Sequence, residues 1–222
     1  MIKKRITVFS GHYGSGKTNV SVNYAISLKK EGKSVSIYDL DIVNPYFRTV
    51  DAMERLKSEG VGLIVSPFAE TNVDIPAMNS ASYKMIDDKS EYAVVDLGGD
   101  DRGALALGRF SEGIKEENDY LMVLVVNVFR PETKDLSGLI EIKEEIERVS
   151  KIPFNAIVNN SNVGKETTEE DILFGVKKVE EFAKELKIPV VYNCVRADLF
   201  DKIKLKIDNA LPIEVIKYGD WL

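Results

Sequence analysis

The stretch that decides the fold of this chain reads Gly11-His12-Tyr13-Gly14-Ser15-Gly16-Lys17-Thr18. It follows the pattern G-x-x-x-x-G-K-[ST], and it lies between an apolar run at residues 6–9 and a segment with apolar residues at helical spacing. A strand, a glycine-rich loop and a helix in that order form a cradle whose backbone N–H groups bind phosphate at the start of the helix. The sequence therefore predicts a phosphate-binding loop.

The residue types in this loop suit the chemistry of a nucleotide phosphate. Glycine lets the backbone turn at positive φ and approach a phosphate closely, because it has no Cβ. The lysine contacts the β- and γ-phosphates, and the hydroxyl of the next residue ligates Mg²⁺. The predicted nucleotide-binding residues here are Gly11, Gly14, Ser15, Gly16, Lys17, Thr18 and Asn19. The alternative, a glycine-rich turn without a ligand, is disfavoured by the strand before the loop and the helix after it.

The composition is typical of a globular protein with one large domain. The chain has 222 residues, of which 44% are hydrophobic and 30% charged. Its formal net charge of −6 argues against nucleic acid as a bulk partner, because such binding needs a basic face. The single cysteine, Cys194, forms neither a disulfide framework nor a C-x-x-C pair for zinc or iron–sulfur. No stretch has the length of a membrane span, so we expect a cytoplasmic protein with no membrane partner.

The pattern along the chain alternates short apolar runs with segments of helical period. Strands are predicted at residues 5–10, 34–39, 62–66, 92–96, 121–126, 155–159 and 189–193. The clearest helix is predicted over Glu169–Leu186, with Thr168 and Asp171 as its N-cap pair. Such an alternation predicts an α/β fold of three layers, in which a mostly parallel sheet has helices on both faces. Ligands bind at the carboxyl ends of the strands in such sheets, so polar residues there are candidates for the binding site.

Two aspartates, Asp39 and Asp41, stand one residue apart at the end of the second predicted strand. A turn with solvated carboxylates is one interpretation, since aspartate is a common turn residue. Next to a phosphate-binding loop, however, one carboxylate can hold a Mg²⁺-bound water and the other can position the water that attacks the γ-phosphate.

The fourth predicted strand ends in Asp96, which Gly98 and Gly99 follow. An apolar run that ends in aspartate is a weak signal by itself, but beside a phosphate-binding loop it indicates a carboxylate that faces the Mg²⁺ shell. The two glycines allow a backbone N–H to reach the γ-phosphate and the loop to move when that phosphate leaves. We predict that Gly98 and Gly99 contact the nucleotide.

The sixth predicted strand ends in Asn159, within the run Asn159-Asn160-Ser161-Asn162. Amide side chains can read the edge of a base because they carry both a donor and an acceptor, although they are equally common in turns. A guanine-binding N-K-x-D tetrapeptide would place a carboxylate here, and the run has none. Adenine is therefore the favoured base, with Asn159 as the residue that contacts it.

Taken together, these motifs resemble the MinD/ParA-type branch of P-loop nucleotide-binding proteins, also described as the CobQ/CobB/MinD/ParA nucleotide-binding domain. The resemblance covers roughly residues 5–195 and implies a single P-loop nucleotide-binding domain over residues 1–222, with ATP and Mg²⁺ as ligands. In that branch the second aspartate of the D-x-D stretch orients the hydrolytic water, and Asp41 matches it. Asp96 matches the Walker B aspartate, and Asn159 matches the asparagine that meets adenine.

Two features depart from that branch. The MinD/ParA ATPases carry a second lysine early in the loop, which crosses to the nucleotide of the partner subunit, and His12 stands at that position here. The resemblance implies a nucleotide-dependent homodimer of the sandwich type, and this replacement argues against it. The missing C-x-x-C pair argues against the cluster-carrier relatives as well.

The leading functional hypothesis is a Mg²⁺-dependent ATPase that acts as a nucleotide switch on a protein partner the sequence does not name. Lys17 and Asp41 would be the catalytic residues, and Thr18, Asp39 and Asp96 would organise the metal. A second hypothesis is an ATP-dependent ligase or small-molecule kinase, in which residues 67–88 form a lid over an unnamed small-molecule substrate. A third is a nucleotide-binding module with negligible turnover.

Overall fold

The computed structural model describes residues 2–41, 52–65 and 80–216 of the chain. Its strands are β1 (Ile6–Ser10), β2 (Val35–Leu40), β3 (Gly62–Val65), β4 (Tyr92–Leu97), β5 (Tyr120–Val126), β6 (Ala156–Asn159), β7 (Val190–Arg196) and β8 (Ala210–Ile213). Its α-helices are α1 (Lys17–Lys30), α2 (Met53–Ser58), α3 (Ser80–Asp87), α4 (Asp101–Gly108), α5 (Ser111–Glu117), α6 (Leu136–Ser150), α7 (Glu169–Leu186) and α8 (Ala197–Ile203).

The eight strands form one sheet in the order β3-β2-β4-β1-β5-β6-β7-β8, and every pair of neighbours is parallel. Strand β1 lies in the interior between β4 and β5, and all five of its residues are buried. Strands that are apolar on both faces are stable only when both faces are covered. The prediction of an α/β fold with a parallel sheet is therefore confirmed.

Helices cover both faces of the sheet, as a three-layer fold requires. Consecutive residues of a strand point to opposite faces, so Val8 packs into one core and Phe9 into the other. The first core contains buried residues of α4, α5, α6 and α7, and the second contains those of α1 and α2. The loop after β1 is thus held between two packed layers.

The seven predicted strands are all present, and their ends differ from the prediction by at most three residues; the predicted end at residue 66 lies outside the described residues. Strand β8 was not predicted from the sequence. Its four residues include Pro212, and a proline within a short apolar run argues against a sheet interior. The structure resolves this conflict by placing β8 at the edge of the sheet, where one side of the strand needs no ladder partner.

Helix α7 begins where the sequence predicted it. The Thr168 hydroxyl accepts a hydrogen bond from the N–H of Asp171 at 3.2 Å, and the Asp171 carboxylate accepts one from the N–H of Thr168 at 2.9 Å. This reciprocal capping box satisfies two helix-end donors at once. The backbone hydrogen bond from Thr168 lowers the pKa of Asp171 from its ordinary value.

The proposed lid over residues 67–88 is only partly described. Residues 80–87 form helix α3, whereas residues 67–79 lie outside the described part of the chain. Across the three described ranges, no helix combines the length and the apolar composition that crossing a membrane requires.

Candidate nucleotide-binding site

The glycine-rich loop connects β1 directly to α1. The N–H of Ser15 donates to the carbonyl oxygen of His12 at 3.1 Å, which closes a turn within the loop. Helix α1 begins at Lys17, and its N-cap residue is Gly16, which has no side chain to cap the first N–H groups. A helix start without a side-chain cap leaves backbone donors for an anion, and the helix dipole favours negative charge there. The loop therefore fits a phosphate.

Two glycines at this site cannot be replaced by larger residues without displacing their neighbours. Gly16 has φ 84°, in the left-handed region, and a Cβ added there would collide with the side-chain nitrogen of Asn160. A Cβ added to Gly99 would collide with the carbonyl oxygen of Gly11. The loop after β4 is therefore packed directly against the phosphate-binding loop. The two loops are close enough to contact the same ligand.

Lys17 and Asp41 form a buried ion pair next to the loop. The Lys17 Nζ lies 3.0 Å from the Asp41 Oδ2, and the two side chains are only 6% and 3% exposed. The Asp41 N–H in turn donates to the Asp39 Oδ1 at 3.1 Å. The structure thus brings the two residues predicted to be catalytic into direct contact.

Asp39 and Asp96 are neighbours across two strands. They are partners in the parallel register of β2 and β4, and both are buried near the carboxyl ends of those strands. Thr18, the third residue predicted to bind metal, is buried in the first turn of α1. Mg²⁺ prefers hard oxygen ligands and is usually held by one or two carboxylates together with water and substrate phosphates. The hydroxyl and carboxylates present here fit that ion.

Within the described ranges, no group of three or more histidine, cysteine, aspartate or glutamate residues has the arrangement of a metal site formed by protein alone.

Gly98 lies where the loop after β4 meets both neighbouring strands. Its carbonyl oxygen accepts a hydrogen bond from the Ser10 hydroxyl at 3.3 Å, and a Cβ at this position would lie 3.2 Å from the Asp41 Oδ1. The next helix, α4, is capped by Asp100, whose carboxylate accepts the N–H of Gly103 at 3.0 Å. Gly98 is therefore adjacent to Asp41, and Gly99 is adjacent to the phosphate-binding loop. The contact of these two glycines with a nucleotide stays a prediction.

Asn159, predicted to contact adenine, uses its amide group within the protein. Its nitrogen donates to the Asn193 Oδ1 at 2.9 Å, and its oxygen accepts the N–H of Ser161 at 3.0 Å. The neighbouring Asn160 instead reaches the phosphate-binding loop and donates to the carbonyl oxygen of Ser15 at 2.7 Å. The run of amides is visible in the sequence, but which of its members contacts the loop is not.

Asn19, the last residue predicted to bind the nucleotide, faces the segment after β8. Its Oδ1 accepts hydrogen bonds from the Asn23 side chain and from the N–H of Ile216, both at 3.3 Å. Its proposed contact with a nucleotide stays a prediction.

Two further residues contact the loop from the segment after β5. The Arg130 Nε donates to the carbonyl oxygen of Gly14 at 3.0 Å. Glu132 lies 3.8 Å from the His12 Nδ1, which is itself 2.9 Å from the carbonyl oxygen of Tyr13. Arg130 and Gly14 are 116 residues apart in the chain, so the local sequence around Arg130 does not indicate this contact.

Residues 1–126 match the sequence model of the ParA family, which is described as NUBPL iron-transfer P-loop NTPase. An iron-sulfur cluster carrier protein of Methanocaldococcus jannaschii is 30% identical over 192 residues, which cover 86% of this chain and 58% of that protein. An uncharacterized ATP-binding protein of the same organism is 26% identical over 211 residues, covering 84% of this chain and 72% of that protein. The chain thus spans little more than half the length of the carrier protein.

Among solved structures, chloroplast FtsY from Physcomitrella patens superposes with a TM-score of 0.57. The two sequences are 18% identical, and the superposition covers 86% of this chain and 58% of that one. At this level of identity the similarity shows a shared fold and nothing more about function.

Proposed function

Because this chain belongs to the ParA family of P-loop NTPases, we propose that it binds ATP with Mg²⁺ and hydrolyses it to ADP and phosphate as a nucleotide switch. The observation that carries this proposal is the buried contact between Lys17 and Asp41 beside the phosphate-binding loop. A lysine held at the start of a helix after such a loop is placed to receive β- and γ-phosphates. The carboxylate next to it is placed to receive the attacking water.

In the proposed reaction, a water oxygen forms a bond to the γ-phosphorus while the bond to the β–γ bridging oxygen breaks. The electron pair of that bond stays on ADP, and one proton of the water passes to solvent. The phosphate oxygens of bound ATP would replace Asp41 as the partner of Lys17. Asp41 would then accept a hydrogen bond from the attacking water. Thr18, Asp39 and Asp96 would hold Mg²⁺, which when bound neutralises charge on the phosphate oxygens.

The test is equilibrium binding of a non-hydrolysable ATP analogue in the presence of Mg²⁺. Lys17→Ala should lower the affinity about 100-fold, because charge-assisted hydrogen bonds to the phosphates are lost. Lys177→Ala removes the same charge from an exposed position on α7 and should bind as tightly as the parent. If Lys17→Ala and the parent bind equally well, the nucleotide site is wrong.

Adenine rather than guanine is supported by the amides after β6 and by the missing carboxylate of an N-K-x-D tetrapeptide. Asn159 would have to exchange its contacts with Asn193 and Ser161 to meet a base. The name of the M. jannaschii relative, an ATP-binding protein, agrees with adenine. We place the protein in the cytoplasm, where an ATP switch has its nucleotide supply.

Two alternatives use the same site. A ligase or small-molecule kinase would transfer the γ-phosphoryl group to a substrate carboxylate or hydroxyl, and it would hydrolyse little ATP until that substrate is added. A nucleotide-binding module would show negligible turnover even in single-turnover experiments at high protein concentration. A nucleotide-dependent homodimer is not part of the proposal, because His12 stands where the lysine that crosses to the partner subunit would be.

An iron–sulfur cluster is the cargo that the names of the carrier relatives suggest. Such clusters are held by cysteine thiolates, usually four. This chain supplies one cysteine, Cys194 on β7, which is buried and whose thiol pKa is raised by that burial. We therefore propose that this chain provides the nucleotide switch, and that any cluster it helps to transfer is held by thiolates outside this chain.

A further inference from the structure

Arg130 is anchored on the phosphate-binding loop by one of its five N–H donors. Its Nε donates to the carbonyl oxygen of Gly14 at 3.0 Å. A Cβ added to Gly14 would lie 3.4 Å from that Nε and 3.6 Å from the Cζ, so the guanidinium packs against the loop backbone. Within the described ranges, the two terminal nitrogens of Arg130 form no hydrogen bond or ion pair. Arg130 is also exposed, so a ligand can reach these donors.

The segment that carries Arg130 is firmly held. The N–H of Arg130 donates to the carbonyl oxygen of Asn127 at 3.1 Å, and its own carbonyl oxygen accepts the N–H of Thr133 at 3.1 Å. The side chain of Asn127 is buried and bonds to both the N–H and the carbonyl oxygen of Asn162, after β6. Arg130 therefore projects from a turn that is fixed to two strands of the sheet, which is how a group that must meet a ligand is kept in position.

Carboxylates and the phosphates of a bound nucleotide would concentrate negative charge around the loop, and a second cation would offset it. Lys17 is already paired with Asp41, and Asp39 and Asp96 add two more carboxylates at the same edge of the sheet. A bound Mg²⁺ would offset part of this negative charge, but a nucleoside triphosphate would add further negative charge. Arg130 is a second cationic side chain in contact with the loop. The neighbouring acid, Glu132, is directed to His12 instead.

We propose that Arg130 binds the phosphates of the nucleotide from within the same chain and stabilises the charge that develops when the γ-phosphate is cleaved. This inference rests on the proposed ATPase function. The bond that breaks leaves its electron pair on the bridging oxygen, so negative charge grows on the ADP side and on the γ-oxygens. A planar guanidinium with remaining donors suits that distribution better than a single ammonium point charge does.

The experiment compares Arg130→Gln and Arg130→Ala in the full chain. Glutamine keeps an N–H donor for the carbonyl oxygen of Gly14 but carries no charge, whereas alanine removes both. Lys134→Gln makes the same charge change at an exposed position four residues away and serves as the control. The readouts are the affinities for ADP and for a non-hydrolysable ATP analogue, and the single-turnover rate of hydrolysis.

We expect Arg130→Gln to bind the ATP analogue about 10-fold more weakly and to hydrolyse ATP about 100-fold more slowly, since arginines that contact the transferred phosphoryl group contribute at least this much. Its affinity for ADP should change less than that for the analogue. Arg130→Lys, which keeps the charge, should recover part of the loss. Lys134→Gln should match the parent.

Two results would overturn the inference. If Arg130→Gln behaves like the parent, the charge has no role. If Arg130→Ala weakens ADP and the analogue equally while Arg130→Gln does not, the arginine only supports the loop through Gly14. The two proposals fail separately. If Lys17→Ala binds the ATP analogue as tightly as the parent, the nucleotide site is wrong and this inference fails with it. If Lys17→Ala loses affinity while Arg130→Gln behaves like the parent, only the role of Arg130 is wrong.

Discussion

Lys17 lies 3.0 Å from Asp41, so the cation that a phosphate requires is paired with a carboxylate. Both side chains are almost fully buried, and a charge in a low-dielectric site is stable only when it has a partner. An incoming phosphate must therefore compete with Asp41 for the same ammonium group.

Asp41→Asn separates binding from hydrolysis at this pair. Removing the carboxylate leaves Lys17 to the phosphates and removes a like charge beside them, so affinity for a non-hydrolysable ATP analogue should rise about 10-fold. Hydrolysis should fall about 100-fold, because the amide is a poor acceptor for the attacking water. Binding by isothermal titration and single-turnover rates measure both effects.

Asp201→Asn is the matched control, since it removes one negative charge from an exposed ion pair on α8 and should change neither quantity. Unchanged affinity in Asp41→Asn would show that Asp41 does not restrain Lys17. Unchanged turnover would remove Asp41 from its proposed role with the attacking water.

The residues of this site differ in how far the sequence could predict them. The positions of the loop, Asp39, Asp41 and Asp96 were predictable because each lies at or directly after the carboxyl end of a strand, and these ends lie on the same side of a parallel sheet. The choice between Asn159 and Asn160 was not, because adjacent residues at a strand end point in different directions and only the final backbone geometry decides which one meets Ser15.

At the scale of elements, Arg5 joins the start of β1 to the ends of α3 and α5. Its guanidinium donates to the carbonyl oxygens of Met85 at 2.8 Å and Asp88 at 3.0 Å, where the dipole of α3 favours a cation. It also forms a buried ion pair with Glu117, the last residue of α5. The pair thus fixes two helices to the strand that leads into the phosphate-binding loop.

The pH dependence of stability should reveal this connection. Burial raises the pKa of Glu117, but hydrogen bonds from Arg5 and Lys89 outweigh it, and the pKa lies below its ordinary value. The stabilisation from a lowered carboxyl pKa is present above the unfolded value, about 4.3, and is lost as the pH falls through the folded value.

Glu117→Gln resembles the protonated side chain, so it should lower the free energy of unfolding by about 2 kcal/mol at pH 6, the worth of a hydrogen bond to a charged group. The difference from the parent should shrink as the pH is lowered toward 3. Urea unfolding across this range measures it. Glu116→Gln, at the exposed neighbouring position, should show a small difference that does not depend on pH. A pH-independent difference for Glu117→Gln would contradict the assignment.

Elements were more predictable than residues, and strand β8 shows where the prediction ended. Six of the other seven strands are largely buried on both faces, so their apolar runs are visible in the sequence. Strand β8 has four residues and a proline, and it pairs only because β7 offers an open edge. That is a property of the assembled sheet, and the local sequence cannot display it.

For the molecule as a whole, the parallel sheet places the phosphate-binding loop and the aspartates at the carboxyl ends of its strands. Cys194 lies within β7 and is buried in the core that contains α1. The nucleotide site and the single thiol are therefore separate parts of the structure. A cluster carrier of this family would need thiolates that reach solvent, and this chain has one cysteine with its pKa raised by burial. Even two copies of the chain would supply only half of the usual four ligands.

Anaerobic reconstitution with ferrous iron and sulfide tests this separation. After desalting, the chain should retain no more iron or visible absorbance than Cys194→Ser, and its affinity for the ATP analogue should be the same with and without the treatment. A stable chromophore that disappears in Cys194→Ser would show that the chain holds a cluster itself. In that case Cys194 must leave the core when the cluster forms, and the thermal stability of the loaded chain should differ from that of the untreated one.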